Sequence, residues 1–485
     1  MKKYLIYLFL LSACCSCDNF LDQQPKTQVD ADYMFTTEQG FKDALMECYV
    51  KMASDALYGR QLSMTTIELM AQHWDVDDAN YRNEVGLKKL DFTTTYSRDL
   101  FSTIYGNLYK VIVHANDVLK NMAQTGSAIP QEQTRRVIEA EALAIRAFIH
   151  IDVLRLFGQM PQNPQKTVSL AYVETVGKGE IRFYGFDQYV AKVLTDLDRA
   201  EEILSKYDPL LTKTLQDMDV SDSAEDPFLA YRRFRFNLYT VKAMKARLYL
   251  YLGNKDTNYA NAFKYANQVI DATTEKGEQM ITLSGDADLK NGYYAMPGES
   301  ITLLSKSNLT NDLFSTTSYR ILETSYATLF AGNKSDDCRA LLVWDRTNTD
   351  VTNKPIPILR KYKQPLASDN VSSTNKMLKY QVLPLFRLAE MYLIAIETAP
   401  SFSEANTLYK QFMKSRRITV EKDLTAEELK EVIEQEYRRE LFAEGQMFYF
   451  YKRHAEPRML WQVGASELTE TNYIVPLPES ELKQQ

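Results

Sequence analysis

Apolar residues recur at three- and four-residue steps through most of this chain, and that period constrains the fold more than any other feature. From Phe101 onward, Ile104, Tyr105, Leu108, Ile112, Ala115 and Leu119 fall on one face of a helix, the pattern of an amphipathic helix set against a core. Arg135 to Phe157 repeats it, with Ala140, Ala142, Ala144 and Ala147 small enough to let another helix approach closely. Gly158, backed by Pro161, predicts its end. Further helices are expected over about 186–204, stopping before Pro209, over about 232–252, and over about 259–270 after the Gly253-Asn254 break. The last two make a helix, tight turn and helix of tetratricopeptide length. Thr425-Ala426-Glu427-Glu428 reads as a capping box, ahead of a face carrying Leu429, Val432, Ile433, Tyr437 and Leu441. The expected fold class is all-α dominated.

Two stretches break the period. Residues about 272–382 are rich in Gly, Asn, Ser and Thr and are interrupted by Pro297, Pro355, Pro357 and Pro365; a second irregular region covers about 55–98. Long irregular segments in a compact protein are typically functional loops or small strand elements. Asp217 to Asp226 forms an acidic run in which Asp217, Asp219 and Ser221 mimic the start of an EF-hand. Asp222 replaces its glycine, however, and Phe228 stands where the bidentate glutamate is required. A solvated surface loop is expected there.

Composition narrows the function classes. A net charge of -7 over 485 residues lacks the basic footprint of a nucleic-acid binder. The chain contains no His-Glu-x-x-His, Gly-x-Ser-x-Gly or Gly-x-x-x-x-Gly-Lys-Ser/Thr motif, and four histidines in all. His150 falls within the Ala140 to Phe157 helix and reads as structural. Adjacent acids such as Asp77 and Asp78, or Glu427 and Glu428, are too common to imply glycosidase chemistry. No catalytic residue, cofactor or metal is expected. Tyrosine, at 31 residues, serves both core packing and ligand stacking, because it joins an apolar face to a hydrogen-bonding tip.

The N-terminus reads as an address. Lys2 and Lys3 precede a short apolar run from Tyr4 to Leu11, and Leu11-Ser12-Ala13-Cys14 ends it in small residues and a cysteine. The run is well short of the ~20 residues a spanning helix needs, so it reads as a removable export signal. With cysteine at the cut, residues 1–13 are the expected lipoprotein signal peptide and Cys14 the lipid anchor, with Cys17 as the alternative. Cys14-Cys15-Ser16-Cys17 also has Cys-x-x-Cys spacing, yet no second pair or nearby histidine accompanies it. Cys48 and Cys338, far apart, are expected to be free thiols.

The residues after the signal resemble a known family. Cys17-Asp18-Asn19-Phe20-Leu21-Asp22, with Pro25 beyond, is similar to the start of mature SusD/RagB proteins, nutrient-capturing surface lipoproteins of Bacteroidetes. The resemblance continues through Phe35-Thr36-Thr37-Glu38 and Ala44 to Tyr49, Ala140 to Phe148, Arg155 to Pro161, Ala243 to Asn254, Arg387 to Leu393, Arg438 to Gly445 and Val475 to Leu482. It implies four tetratricopeptide-like helix pairs forming a curved scaffold, with a loop-rich ligand-facing part. Residues 14–485 are expected to form one SusD-like domain, with an N-terminal part over 18–230 and a C-terminal part over 231–485 that carries the 272–382 insertion. After Gly445 the chain departs from the family: Met447, Phe450, Tyr451 and His454 replace a polar pattern, which predicts aromatic packing in place of a polar network.

The resemblance implies a lipid-anchored protein at the outer-membrane surface that captures an oligosaccharide and acts as the lid of a SusC-like TonB-dependent transporter. A peptide ligand, as in RagB-like members, is the alternative. A carbohydrate-active enzyme on a helical toroid and a tetratricopeptide adaptor are the readings from other classes. A sugar site needs an aromatic platform and a polar edge. Trp74, Asp78, Asn80, Tyr81 and Arg82 supply both in one loop region; Tyr293 and Tyr294 do so in the other, followed by Tyr319 and Arg320. These nine are the expected ligand-binding residues.

Overall fold

The computed structural model describes residues 33–76, 82–163, 169–177, 181–307, 309, 313–332, 335–362, 373–464 and 466–483. Helices dominate, and the longer ones follow the apolar period. They are α1 (Glu38–Met52), α2 (Thr95–Thr125), α3 (Glu132–Phe157), α4 (Phe186–Tyr207), α5 (Leu238–Tyr251), α6 (Asn258–Ile270), α7 (Leu388–Thr398), α8 (Phe402–Ser415), α9 (Ala426–Glu440) and α10 (Met447–His454). α2 packs on α3, α3 on α4, α5 on α6, and α7 on both α6 and α8. Each helix thereby buries its apolar stripe on a sequence neighbour or near neighbour, and the stripes merge into one hydrophobic core.

α3 is the most enclosed. From Ala140 to Phe157 every residue is buried, because apolar and small residues fall on every side of the helix and leave no face that is wholly polar. Its polar side chains are consequently paired, because an unpaired buried charge is expensive. Glu141 accepts from Arg235 at 2.7 and 3.0 Å and from the Tyr49 hydroxyl at 2.8 Å. Arg146 forks onto Asp196 at 2.7 and 2.6 Å. Gly158 ends the helix where the sequence places the stop: its N–H returns to the Leu154 carbonyl at 2.9 Å, and a Cβ there would lie 2.3 Å from that oxygen. At α9 the capping box is present, with the Glu428 amide donating to the Thr425 hydroxyl at 3.2 Å and the Thr425 amide to the Glu428 carboxylate at 2.8 Å.

Three sequence expectations need correction. The helix placed over 232–252 begins at Leu238: Arg232 is fully buried and forked onto Asp208 at 3.1 and 3.0 Å, which holds Arg232–Phe234 in a 3-10 turn. Asn237 then caps α5 by accepting from the Thr240 amide. The acidic run over 217–226 is not a simple solvated loop. Asp219 pairs with Arg233 at 3.2 Å, and Asp226 is buried, accepting from the Thr134 hydroxyl at 2.7 Å and from Lys42 at 3.0 Å. In α10, aromatic packing joins a polar network and does not replace it. Phe450 lies 5.1 Å from Tyr437 and 4.5 Å from His454, while Arg453 still pairs with Glu397 at 2.6 Å and Arg438 donates to the Tyr451 hydroxyl at 2.9 Å.

The irregular part is built from small strands and short helices. β1 (Leu170–Ala171) pairs antiparallel with β2 (Phe183–Tyr184), making a small hairpin beside α2. β3 (Ser300–Ser305) pairs antiparallel with β6 (Val382–Arg387), tying an early part of the long insertion to its C-terminal end. Inside it, β4 (Trp344–Asp345) pairs with β5 (Ile358–Leu359). Beneath this base lies a buried charge cluster. Arg387 contacts Glu440 at 2.6 Å and Glu444 at 2.9 Å, and Arg416 contacts Glu299 at 3.1 Å and Glu440 at 3.0 Å. Burial opposes ionisation of Glu440, but Arg416, Arg387 and Arg339 outweigh it and hold the carboxyl well below the usual range. Cys48 and Cys338 are buried free thiols.

Candidate functional site

Trp74 is not a ligand platform. Its side chain has 0% exposure, its indole N–H donates to the Met64 carbonyl at 2.7 Å, and its ring packs on Phe314 and Phe442 at 5.0 and 4.9 Å. Tyr319 closes the same cluster, 6.0 Å from Trp74 and only 3% exposed, so it too is core. Chain crossings seal the cluster. The Asp75 amide donates to the Arg320 carbonyl at 2.8 Å, while the Arg320 guanidinium turns back to the Thr316 carbonyl. Gly445, at φ +68°, comes so close to Leu62 that a Cβ would lie 1.9 Å from its carbonyl oxygen. The fold thus brings the 74 and 320 regions together, as a seal over the core. Asp78, Asn80 and Tyr81 lie outside the described residues, as do the Arg82 side chain, Cys14 and Cys17.

Tyr293 and Tyr294 part company. Tyr294 packs against the core, with the Arg360 guanidinium 5.6 Å from its ring centre. Tyr293 stays half-buried and lines a cleft of about 370 Å³. The loop that presents it turns at Gly292, and its amide donates to the Asp288 carbonyl at 3.1 Å. Lys379 lies 5.0 Å from the ring centre. Asp219, Asp288 and Gln216 supply the polar edge; burial pushes the Asp219 carboxyl up, against the pull of Arg233. Ser284 also lines the cleft, 3% exposed, and its hydroxyl has no hydrogen-bond partner among the described residues. A buried polar group in that state gains from any ligand hydroxyl that reaches it.

A larger cleft, about 810 Å³, was missed from the sequence. It opens between α2 and the β1–β2 hairpin and is lined by Tyr105, Tyr109, Tyr172 and Tyr184. The apolar period assigned Tyr105 to the core face and passed over Tyr109 and Tyr184. The available signal was Gly106, an unfavourable residue in a helix interior, between two tyrosines one turn apart. His150 is structural, as its place in the helix suggests, and it builds the wall of this cleft. It accepts the Val173 N–H at 3.2 Å and stacks on Tyr172 at 3.9 Å, and burial lowers its pKa to about 3. Among the described residues no group of three or more His, Cys, Asp or Glu side chains is arranged to hold a metal ion, and no helix is long and apolar enough to cross a membrane.

Successive packed helix pairs, with ligand-sized clefts that have tyrosine in their walls and polar groups at their edges, define a helical scaffold bearing small-ligand sites. A family model described as "Starch-binding associating with outer membrane" matches residues 19–215, and one described as "SusD family" matches residues 247–474. The chain belongs to the SusD/RagB family. Two SusD-like proteins of Formosa agariphila are 23% identical over 217 residues and 27% identical over 165 residues. These matches take in 43% and 33% of this chain and only 39% and 31% of those relatives. Among solved structures, a SusD superfamily protein from Bacteroides thetaiotaomicron superposes with a TM-score of 0.70 at 18% identity, covering 92% of this chain and 98% of the other. A SusD-like carbohydrate binding protein from Bacteroides vulgatus gives 0.67 at 16%, covering 92% and 96%. A laminarin binding SusD-like protein gives 0.63 at 17%, covering 92% and 98%. These likenesses establish the fold.

Proposed function

We propose that this protein captures glycans at the outer-membrane surface, anchored by lipid on Cys14, and serves as the lid of a SusC-like TonB-dependent transporter, binding its ligand without transforming it. The observation that carries the reading is the pair of family matches in sequence over both halves of the chain, the first described as starch-binding and outer-membrane associating. The chemistry of the Tyr293 cleft supports it: a half-buried ring offers a stacking face, Asp219, Asp288 and Gln216 offer an edge, and the buried Ser284 hydroxyl awaits a partner. Isothermal titration of the full-length protein against neutral oligosaccharides tests the ligand class, with Tyr293→Ala expected to weaken binding several-fold. Binding of peptides and no glycan would move the ligand to the RagB-like class. Purification in mild detergent is expected to bring down a TonB-dependent barrel, and Cys14→Ala to release the protein from membranes; retention of normal lipidation in that variant, with its loss in Cys17→Ala, would transfer the anchor to Cys17.

A further inference from the structure

We propose that the tyrosine cleft between α2 and the β1–β2 hairpin is a second saccharide site, separate from the Tyr293 cleft. The proposal rests on the glycan-capture reading above and adds a location to it. Its volume of about 810 Å³ lies within the ~300–1,000 Å³ of small-ligand clefts. Its walls come from separate parts of the chain: Tyr105 and Tyr109 on α2, Glu174 and Tyr184 at the hairpin, Lys192 on α4, and Glu481 near the C-terminus.

The platform is rigid in advance. The Tyr109 hydroxyl donates to the Ala171 carbonyl at 2.7 Å, and its ring is wedged between Tyr105 at 4.6 Å and the edge of His150 at 6.2 Å. His150 in turn ties down Val173, so the hairpin wall and the α2 wall are fixed to each other. A ligand stacking here loses little protein entropy, which is the benefit of preorganisation. Tyr109 and Tyr184 remain only half-buried, leaving ring surface open.

Two features set this cleft apart from ordinary tyrosine packing. The Tyr105 hydroxyl is buried beside Tyr109 and Glu481 without a hydrogen bond of normal geometry to either. Burial pushes its pKa far up, so it stays a neutral donor and acceptor. At the lip, Gly106 leaves space that a side chain would occupy, for a Cβ there meets nothing within 4 Å. The rim holds both kinds of hydrogen-bonding partner: the Glu174 and Lys192 ion pair at 2.6 Å, with Arg182 alongside. Pyranose rings match this set, with C–H faces for the tyrosines and hydroxyls for the carboxylates and cations. A peptide matches it less well, because strand addition needs a sheet edge and the hairpin strands are two residues each.

The test combines isothermal titration of the full-length protein with hydroxyl-radical footprinting, using malto-, laminari- and xylo-oligosaccharides as probes. The best-binding oligosaccharide should protect Tyr109 and Tyr184 from oxidation. Gly106→Leu, which fills open space, should abolish that protection, and Tyr184→Ala, which removes a ring, should abolish it at Tyr109; each should also either halve the stoichiometry or weaken affinity at least five-fold, with unchanged circular dichroism. Tyr293→Ala should leave the protection at Tyr109 intact. Glycan binding without protection of Tyr109 and Tyr184, or a Gly106→Leu protein that titrates like the parent, overturns the second site while the glycan reading stands. A parent protein that binds no glycan overturns both. Binding of peptides alone, blocked by Gly106→Leu, overturns the saccharide assignment.

Discussion

Two aromatic clusters of similar composition have opposite fates in this molecule. Around Trp74, the rings of Phe314, Tyr319 and Phe442 meet at 4.9 to 6.0 Å and leave no ring face to solvent. Around Tyr109, the rings of Tyr105, Tyr172 and Tyr184 line a cleft that the described residues leave open. Closure distinguishes them more than residue type does. The first cluster is roofed by the crossing of Asp75 with Arg320 and by the approach of Gly445 to Leu62. The second is bordered by a hairpin of two-residue strands and by Gly106, and among the described residues neither reaches across it. An aromatic residue near a loop therefore indicates a binding surface only when the chain leaves one face uncovered.

The sharpest way to break this comparison is truncation of the closed cluster. Trp74→Ala should lower stability by roughly 3 to 5 kcal/mol, through a large cavity and the loss of the indole hydrogen bond to Met64, and urea unfolding reads the change directly. A variant that unfolds like the parent while losing glycan affinity would return Trp74 to the ligand.

Acid should strain the open cluster from beneath. His150, held down at a pKa of about 3 by burial and by the charge of Arg146, titrates near ~6.5 in the unfolded chain. Between those values the unfolded state carries the extra proton, so stability falls as pH falls, by up to ~1.4 kcal/mol per pH unit. The loss is absent above about pH 6.5 and complete near pH 3. Comparing urea midpoints of the parent and His150→Gln across pH 7 to 4.5 isolates it, since other titrating groups are common to both; equal slopes would show that His150 is not held neutral.

The smallest effect on stability belongs to the open ring. Tyr184→Ala removes a half-buried side chain that packs only against the edge of the core and should lower stability by about 1 kcal/mol, near the centre of the range for single substitutions. Loss of stacking should still weaken glycan binding by about 1 kcal/mol, several-fold by titration. A large stability loss would show that Tyr184 supports the hairpin as core.

The helices were the most legible part of the chain. Periodicity located α2, α3, α4 and α6, and local chemistry located the stop at Gly158 and the capping box at Thr425, because each depends on residues within a few positions of one another. The start of α5 was misplaced because a contact distant in sequence won: Arg232 is drawn into the core by Asp208 and Glu141, and no helical pattern encodes that. The site was less legible. The platform-plus-edge criterion picked Trp74 and Tyr319, which fold inward, and Tyr293, which lines a cleft. It passed over Tyr109 and Tyr184, which lie 75 positions apart.

By itself the sequence determined the helical class and the family, since periods, caps and short motifs act over one or two turns of chain. The tertiary structure decided which aromatic rings are covered. Exposure of a ring depends on whether a distant segment passes over it, as residues 313–320 and 442–445 pass over Trp74 and as nothing described passes over the mouth between Tyr109 and Tyr184. That outcome is set by the packing of the whole chain, where burial is favourable only if the covering segment can also satisfy its own backbone.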